Sequence, residues 1–337
     1  MPTCGSQIIL CDLPIRFDTY QGCSHLCRYC FAQNKVNLSE IRTEESPQQL
    51  LNFIRGQRNI TTEWCDWNIP IHWGGLSDPF QPAEKKIGAS LQALKIFAET
   101  QYPFVVSTKG KLICESPYID LIAKCNCVVQ ISAVCSKYDV LEKGAPPFEE
   151  RLEMARKLSK VAKRVIIRIQ PYLTQCYKEV KENLHRLAEA GVYGVILEGM
   201  KFKHIKKGLV RLAGDFVYPL DELRKHFEGL KAEAHRVGLK FYCGENRLRL
   251  MGDAMCCCGI DGLEGFKPNT YNALHIMTGQ PYEKTEAMTT KGGKCFSGIH
   301  QDSAFSKFVK DKTFDQVMQH EILTRKEKLQ KIFGIKE

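Results

Sequence analysis

The chain has 337 residues, 44% of them hydrophobic, and carries 48 Lys plus Arg against 38 Asp plus Glu, a formal charge of +10. That supports a globular protein with one large core, and the charge permits an acidic partner without requiring one. The start, MPTCGSQIIL, is no export leader and no segment approaches a membrane-length apolar run, so a cytoplasmic chain without membrane contact is expected, its sixteen cysteines reduced or ligating rather than disulfide-bonded.

A first strand around Ile15 to Thr19 opens the pattern. Short apolar runs then recur as NIPIHW (68–73), PFVVST (103–108), CVVQISA (127–133), RVIIRIQ (164–170), YGVILEG (193–199) and LKFYC (239–243), each reading as a buried strand. Between them, helical spacing covers about 46–56, 83–99, 116–123, 147–161, 177–190 and 220–236, with start signals such as Ser46-Pro47 and Pro82. The alternation predicts an α/β fold, a parallel sheet curled into a full or partial barrel over 1–243. Beyond Cys243 the pattern stops. The segment 244–300 is rich in Gly, Cys and turn residues and reads as a small appendage, followed by a charged helical tail from about Asp311 to Lys331.

The loop after the first strand, GCSHLCRYCF, carries Cys23, Cys27 and Cys30. Three thiolates from one tight loop can hold three corners of a four-iron cubane and leave one iron open. An open iron suits a small chelator with an amino and a carboxylate group, which S-adenosylmethionine supplies. A zinc site borrowing His25 or Cys4 as a fourth ligand is the other reading of the same thiols. Barrels of this kind place their chemistry at the C-terminal ends of the strands, where this loop sits.

With this loop on a β/α chain the sequence resembles the radical S-adenosylmethionine superfamily, whose partial (β/α)6 barrel carries the C-x3-C-x2-C loop. GCSHLCRYCFA, HWGGLSDPFQPAEK (72–85), VVSTKG (105–110), VQISA (129–133) and GAPPFEERLEMARKLSK (144–160) are similar to its spore photoproduct lyase and DNA repair photolyase-like branch, over about residues 15–200. The resemblance implies a [4Fe-4S] cluster on Cys23, Cys27 and Cys30, and reductive cleavage of S-adenosylmethionine to a 5′-deoxyadenosyl radical that abstracts hydrogen from a substrate. It also implies an electron donor such as flavodoxin or ferredoxin. Ser77, Lys109 and Ser132 match positions that hold S-adenosylmethionine, Gly74 and Gly75 the glycine-rich strand end, and Tyr29 the aromatic beside the last cysteine. In spore photoproduct lyases a hydrogen-donating cysteine stands where this chain has Gly75; Cys135, past the fourth strand end, is the candidate substitute thiol.

A second group, Cys243, Cys256, Cys257, Cys258 and Cys295, reads as ligands of a second iron–sulfur cluster or a zinc, with Cys243, Cys256, Cys258 and Cys295 the favoured set because adjacent side chains diverge. Glu245, Asn246 and Arg247 leave the last strand near the mouth, and Arg168 and Gln170 alternate into the barrel, where a cofactor carboxylate would pair with Arg168. Glu198 is the acidic counterpart. KFKHIKKGLVR (201–211) is a candidate phosphate-binding rim with Phe202 for base stacking. Resemblance and charge favour a nucleic acid or nucleoside-derived substrate. A peptide or small metabolite is the rival within enzymes, and a non-catalytic, metal-stabilised nucleic-acid-binding protein the rival outside them.

Overall fold

The computed structural model describes residues 1–4, 10–212, 214–297 and 307–335. Seven parallel strands form its frame: β1 (Ile15–Phe17), β2 (Ile71–Trp73), β3 (Phe104–Thr108), β4 (Cys127–Ser132), β5 (Arg164–Tyr172), β6 (Gly194–Gly199) and β7 (Lys240–Cys243). They lie in sequence order, with Thr3–Cys4 added antiparallel at the β1 edge and β7 at the other, so the sheet curls without closing. The crossovers are helical: α1 (Pro47–Ile54), α2 (Ala89–Thr100), α3 (Tyr118–Ile122), α4 (Phe148–Leu158), α5 (Tyr177–Glu189) and α6 (Leu220–Arg236). This is the partial α/β barrel expected from the alternation of apolar runs. At α1 the reason is local: Ser46 Oγ accepts from Gln49 N at 3.3 Å, Gln49 Oε1 accepts from Ser46 N at 2.9 Å, and Pro47 presets the first turn.

Strand alternation sorts side chains into two cores. Phe17, Trp73, Phe104, Val106, Val129, Ile131, Val165, Ile167, Val195, Leu197 and Phe241 face outward beneath the helices. Facing inward at the N-terminal end of the strands are Val105, Val128, Ile166, Ile196 and Tyr242. Cys256, Cys258, Ile260 and Phe266 pack among them, so this part of the glycine- and cysteine-rich segment plugs the bottom of the barrel. Gly259 shows how close the fit is: at φ +72° its absent Cβ would stand 2.7 Å from Ile166 Cδ1.

The tail expected as a charged helix over about 311–331 begins with a strand and breaks into two helices. Gly292–Ser297 pairs antiparallel with Lys307–Thr313, and two helices follow, Phe314–Thr324 and Lys326–Phe333. Phe314 stacks on Trp64 with ring centroids 5.1 Å apart, and Val317, Met318, Leu329 and Phe333 join the outer core. Among the described residues no helix is long and apolar enough to cross a membrane.

Candidate active site

The cysteine loop leaves β1 at the C-terminal ends of the strands. Gly22 turns it at φ +82°, with its absent Cβ only 2.3 Å from the Glu40 carbonyl oxygen, so no other residue fits there without moving backbone. Residues between and beside the cysteines tie the loop down. Cys23 N donates to Leu38 O at 2.8 Å, Ser24 N to Gln81 Oε1 at 2.9 Å, and Arg28 N to Leu141 O at 2.9 Å. Ser77 Oγ and Gln81 Nε2 both donate to the Gly22 carbonyl, at 2.5 and 3.1 Å. Cys27 is buried; Cys23 and Cys30 are half-buried.

Two buried carboxylates hold this arrangement. Asp78 accepts from Phe80 N at 2.9 Å, Thr108 Oγ1 at 2.7 Å, Lys109 N at 2.6 Å, Gly110 N at 3.2 Å and His25 Nε2 at 3.1 Å. Burial alone would raise its pKa, but His25 and the converging donors outweigh that and bring the carboxyl down to about 2. His25 also donates through Nδ1 to Gly144 O at 2.9 Å. Burial pulls its pKa down; the Asp78 charge and both hydrogen bonds overcome this and raise it, so the ring is a doubly donating imidazolium. Glu142 is the second hub. It accepts from Tyr29 OH, pairs with Arg151 at 2.5 Å and lies 3.8 Å from Lys109 Nζ.

Burial and the neighbouring donors and cation act on the thiols in opposite directions. Burial pushes Cys23 up to about 12 and Cys27 up to about 11, against which the backbone N–H groups of His25 and Asp78 act on Cys23 and the Lys109 charge on Cys27. These are the groups that stabilise ligating sulfur. The two ligands that a zinc would borrow are placed elsewhere: both His25 nitrogens are committed, and Cys4 lies buried on the Thr3–Cys4 edge strand.

Other expected residues meet mixed outcomes. Lys109 stands at the end of β3 beside the cysteine loop, its ammonium 5.8 Å from the Tyr29 ring centroid. Ser132 ends β4 half-buried, and Gly75 faces Arg16 and Asp18 with ordinary room for a Cβ. Gly74 is required by the chain itself, since at φ +82° a Cβ would lie 2.5 Å from Ser107 O. The Ser77 hydroxyl is buried and donates to Gly22, so in this structure it ties down the cysteine loop. The Tyr29 hydroxyl is likewise committed to Glu142. Cys135 is fully buried in the outer core, hydrogen-bonded to Cys176, which suits a small apolar residue and not a thiol at the mouth. Glu245, Asn246 and Arg247 turn inward as well: Arg247 Nε donates to Glu245 at 2.8 Å and Asn246 Oδ1 accepts from Arg249 at 2.8 Å. Phe202 has Lys206 Nζ 5.1 Å from its ring centroid and Tyr218 at its edge, so it is less open to a base than expected.

The residues of the favoured second ligand set are placed as follows. Cys256 and Cys258 hydrogen-bond to each other in the barrel plug, while Cys243 faces the outer core and donates to Glu245 O at 3.5 Å. Cys295 lies on Gly292–Ser297, and its side chain is outside the described residues. Cys257 and Cys11 share the plug with Cys258, and Cys11 carried no signal of its own in the sequence.

No protein-family model matches the chain. An uncharacterised protein of Mycobacterium tuberculosis is 23% identical over 214 residues, and the chain spans 62% of that relative's length, matched by 58% of its own. Among solved structures, a spore photoproduct lyase variant with bound AdoMet and dinucleoside spore photoproduct superposes at TM-score 0.54 and 15% identity, covering 68% of this chain and 76% of that one. SuiB from Streptococcus suis, bound to S-adenosylmethionine, superposes at 0.51 and 15%, covering 69% and 51%. The chain therefore has the partial-barrel fold of spore photoproduct lyase and SuiB, both radical S-adenosylmethionine enzymes.

Proposed function

We propose that the chain is a radical S-adenosylmethionine enzyme. The observation that carries this reading is the cysteine loop on that fold: three thiols at the C-terminal end of β1, in a loop held by Asp78, Gln81 and Glu142, with N–H groups directed at Cys23. Cys23, Cys27 and Cys30 would hold the cluster, which supplies one electron to S-adenosylmethionine so that a deoxyadenosyl radical can take hydrogen from the substrate. This chain's residues orient and shield. Lys109 brings a cation for a carboxylate to the cluster side of the mouth, Gly75 leaves room beside Asp18 and Arg16, and half-buried Ser132 offers a hydroxyl at the end of β4.

For the substrate, a nucleic acid or nucleoside-derived molecule is the reading we favour. Its support is the basic stretch after β6, in which Lys201, Lys203, His204, Lys206 and Lys207 precede the hairpin of Val210–Leu212 and Asp215–Val217. Anaerobic reconstitution followed by reduction should yield 5′-deoxyadenosine and methionine from S-adenosylmethionine, and Cys27→Ala should abolish both products. Reduced protein with a full complement of iron and sulfide that makes neither product, with or without oligonucleotide, would refute the reading.

A further inference from the structure

Above the apolar plug, the barrel interior holds a chain of hydrogen bonds whose direction can be followed. Arg16 Nη1 donates to His72 Nδ1. His72 is fully buried between two guanidinium groups, and burial, then the Arg16 and Arg168 charges, hold it well below its ordinary pKa, so the ring is neutral. Its Nε2–H then donates to Ser107 Oγ at 2.9 Å, and that hydroxyl donates to Gln130 Oε1 at 3.0 Å. Arg168 Nη1 donates to the same two oxygens, at 2.9 and 3.1 Å, and Arg168 Nη2 to Gln170 Oε1. Gln170 Nε2 donates to Glu198, which Lys201 already neutralises at 2.7 Å. Below, Gln130 Nε2 closes onto Cys258 O at 3.2 Å.

Within this chain Arg168 is saturated in hydrogen bonds but not in charge. Every partner of Arg168 is neutral, and among the described residues no carboxylate pairs with it. A half-buried guanidinium whose hydrogen-bond partners are all neutral can take its counter-charge from a bound anion. Asp18, beside Arg16, is pushed up to about 7 by burial, so it supplies only part of a charge near neutrality. Arg16, Ser132, Arg168, Gln170 and Glu198 are all half-buried, so this layer is open from the mouth.

The cysteine loop has its own cation. Lys109 Nζ lies 3.8 Å from Glu142 and 5.8 Å from the Tyr29 ring centroid, whereas Arg168 reaches Ser107, Gln130 and Gln170 inside the barrel. We infer that Arg168, with Arg16 across His72, is the seat for an oxyanion group of the substrate, a phosphate or a carboxylate, and not for the cofactor's carboxylate. This rests on the radical-enzyme reading of the same barrel. It makes the substrate an anion whose charged group sits beneath the reacting carbon, with the neutral His72 keeping the two guanidinium groups apart.

The test is calorimetric titration of reconstituted protein, holding saturating S-adenosylmethionine, with inorganic phosphate and separately with acetate, and with uncharged thymidine as control. Saturable binding of phosphate or acetate is expected, and whichever binds tighter names the anion's source. Arg168→Gln should weaken it by about tenfold or more, Arg168→Lys should restore part of it because the charge returns without the fork, and S-adenosylmethionine affinity should stay within about twofold in both. Wild-type protein that binds neither anion, or an Arg168→Gln variant that binds as wild type does, overturns the inference. Parallel loss of S-adenosylmethionine binding overturns it too, by returning Arg168 to the cofactor. If Arg168→Gln does not fold, Arg168→Lys and Arg16→Lys decide, since a seat requires each to weaken the anion alone. Deoxyadenosine formation by the same wild-type preparation separates failure of this inference from failure of the radical-enzyme reading.

Discussion

Replacing Asp78 by Asn tests whether the cysteine loop is held as described. The carboxylate accepts five hydrogen bonds, from Phe80 N, Thr108 Oγ1, Lys109 N, Gly110 N and His25 Nε2. An amide keeps only one of the two oxygens. Turned one way, its NH2 group faces the Lys109 and Gly110 amides; turned the other way, it faces the Phe80 amide, while Thr108 can reverse and accept. At least one buried N–H is therefore left unsatisfied, at a cost of about 1–3 kcal/mol. The His25 imidazolium also loses its counter-charge, and breaking a buried pair in this way costs about 3–5 kcal/mol. A loss of about 4 kcal/mol is the floor, a large part of the roughly 5–15 kcal/mol that a domain has. Urea unfolding at neutral pH reads the stability, and limited proteolysis of residues 22–40 with iron content after reconstitution reads the loop. An Asp78→Asn protein within about 1 kcal/mol of wild type, with the loop resistant and the iron unchanged, would refute the assignment of Asp78 as its hub.

Four further outcomes follow from the same structure. Gly22→Ala should lower the thermal midpoint and weaken iron retention together, because a Cβ 2.3 Å from Glu40 O in a left-handed turn forces the loop backbone to move. Phe314→Ala should cost about 3–5 kcal/mol in chemical unfolding, since the ring stacks on Trp64 at 5.1 Å in the core shared by tail and barrel; a loss confined to the tail, with the barrel transition unmoved, would show the two to be independent. Asp18 titrates near 7 in the fold against about 4 in an unfolded chain, so the folded form holds its proton more tightly. Its contribution is fully present below pH 4 and is lost as pH rises through 7; Asp18→Asn should flatten that decline in the pH dependence of the urea midpoint, and an unchanged slope would count against it. Cys135→Ala should leave product formation intact, because that thiol is sealed in the outer core against Cys176, and a specific loss of turnover in folded protein would restore it as a hydrogen donor.

The barrel and its cysteine loop were readable from the chain alone because both are written locally. A parallel strand buried on both faces shows as a short apolar run whatever it pairs with, and six such runs from NIPIHW to LKFYC contain β2 to β7. C-x3-C-x2-C is likewise a short-range pattern, so no tertiary knowledge is needed to see it after β1. What joins residues distant in sequence was decided only on folding. Asp78 reaches His25 across 53 positions and Thr108 across 30, and nothing in GGLSDP marks that carboxylate as a hub. Alternation placed Arg168 and Gln170 on the inner face, but that Arg168 meets Ser107 and Gln130, and that Arg16 meets His72, depends on strand register and barrel curvature. The cysteine triplet shows the limit most clearly. Its composition suggests ligands, and only the fold shows that Cys256 and Cys258 pack inside the base of the barrel beside Ile166 and Tyr242. A buried thiol and a ligating thiol are the same letter; only the neighbours that the fold brings to it tell them apart.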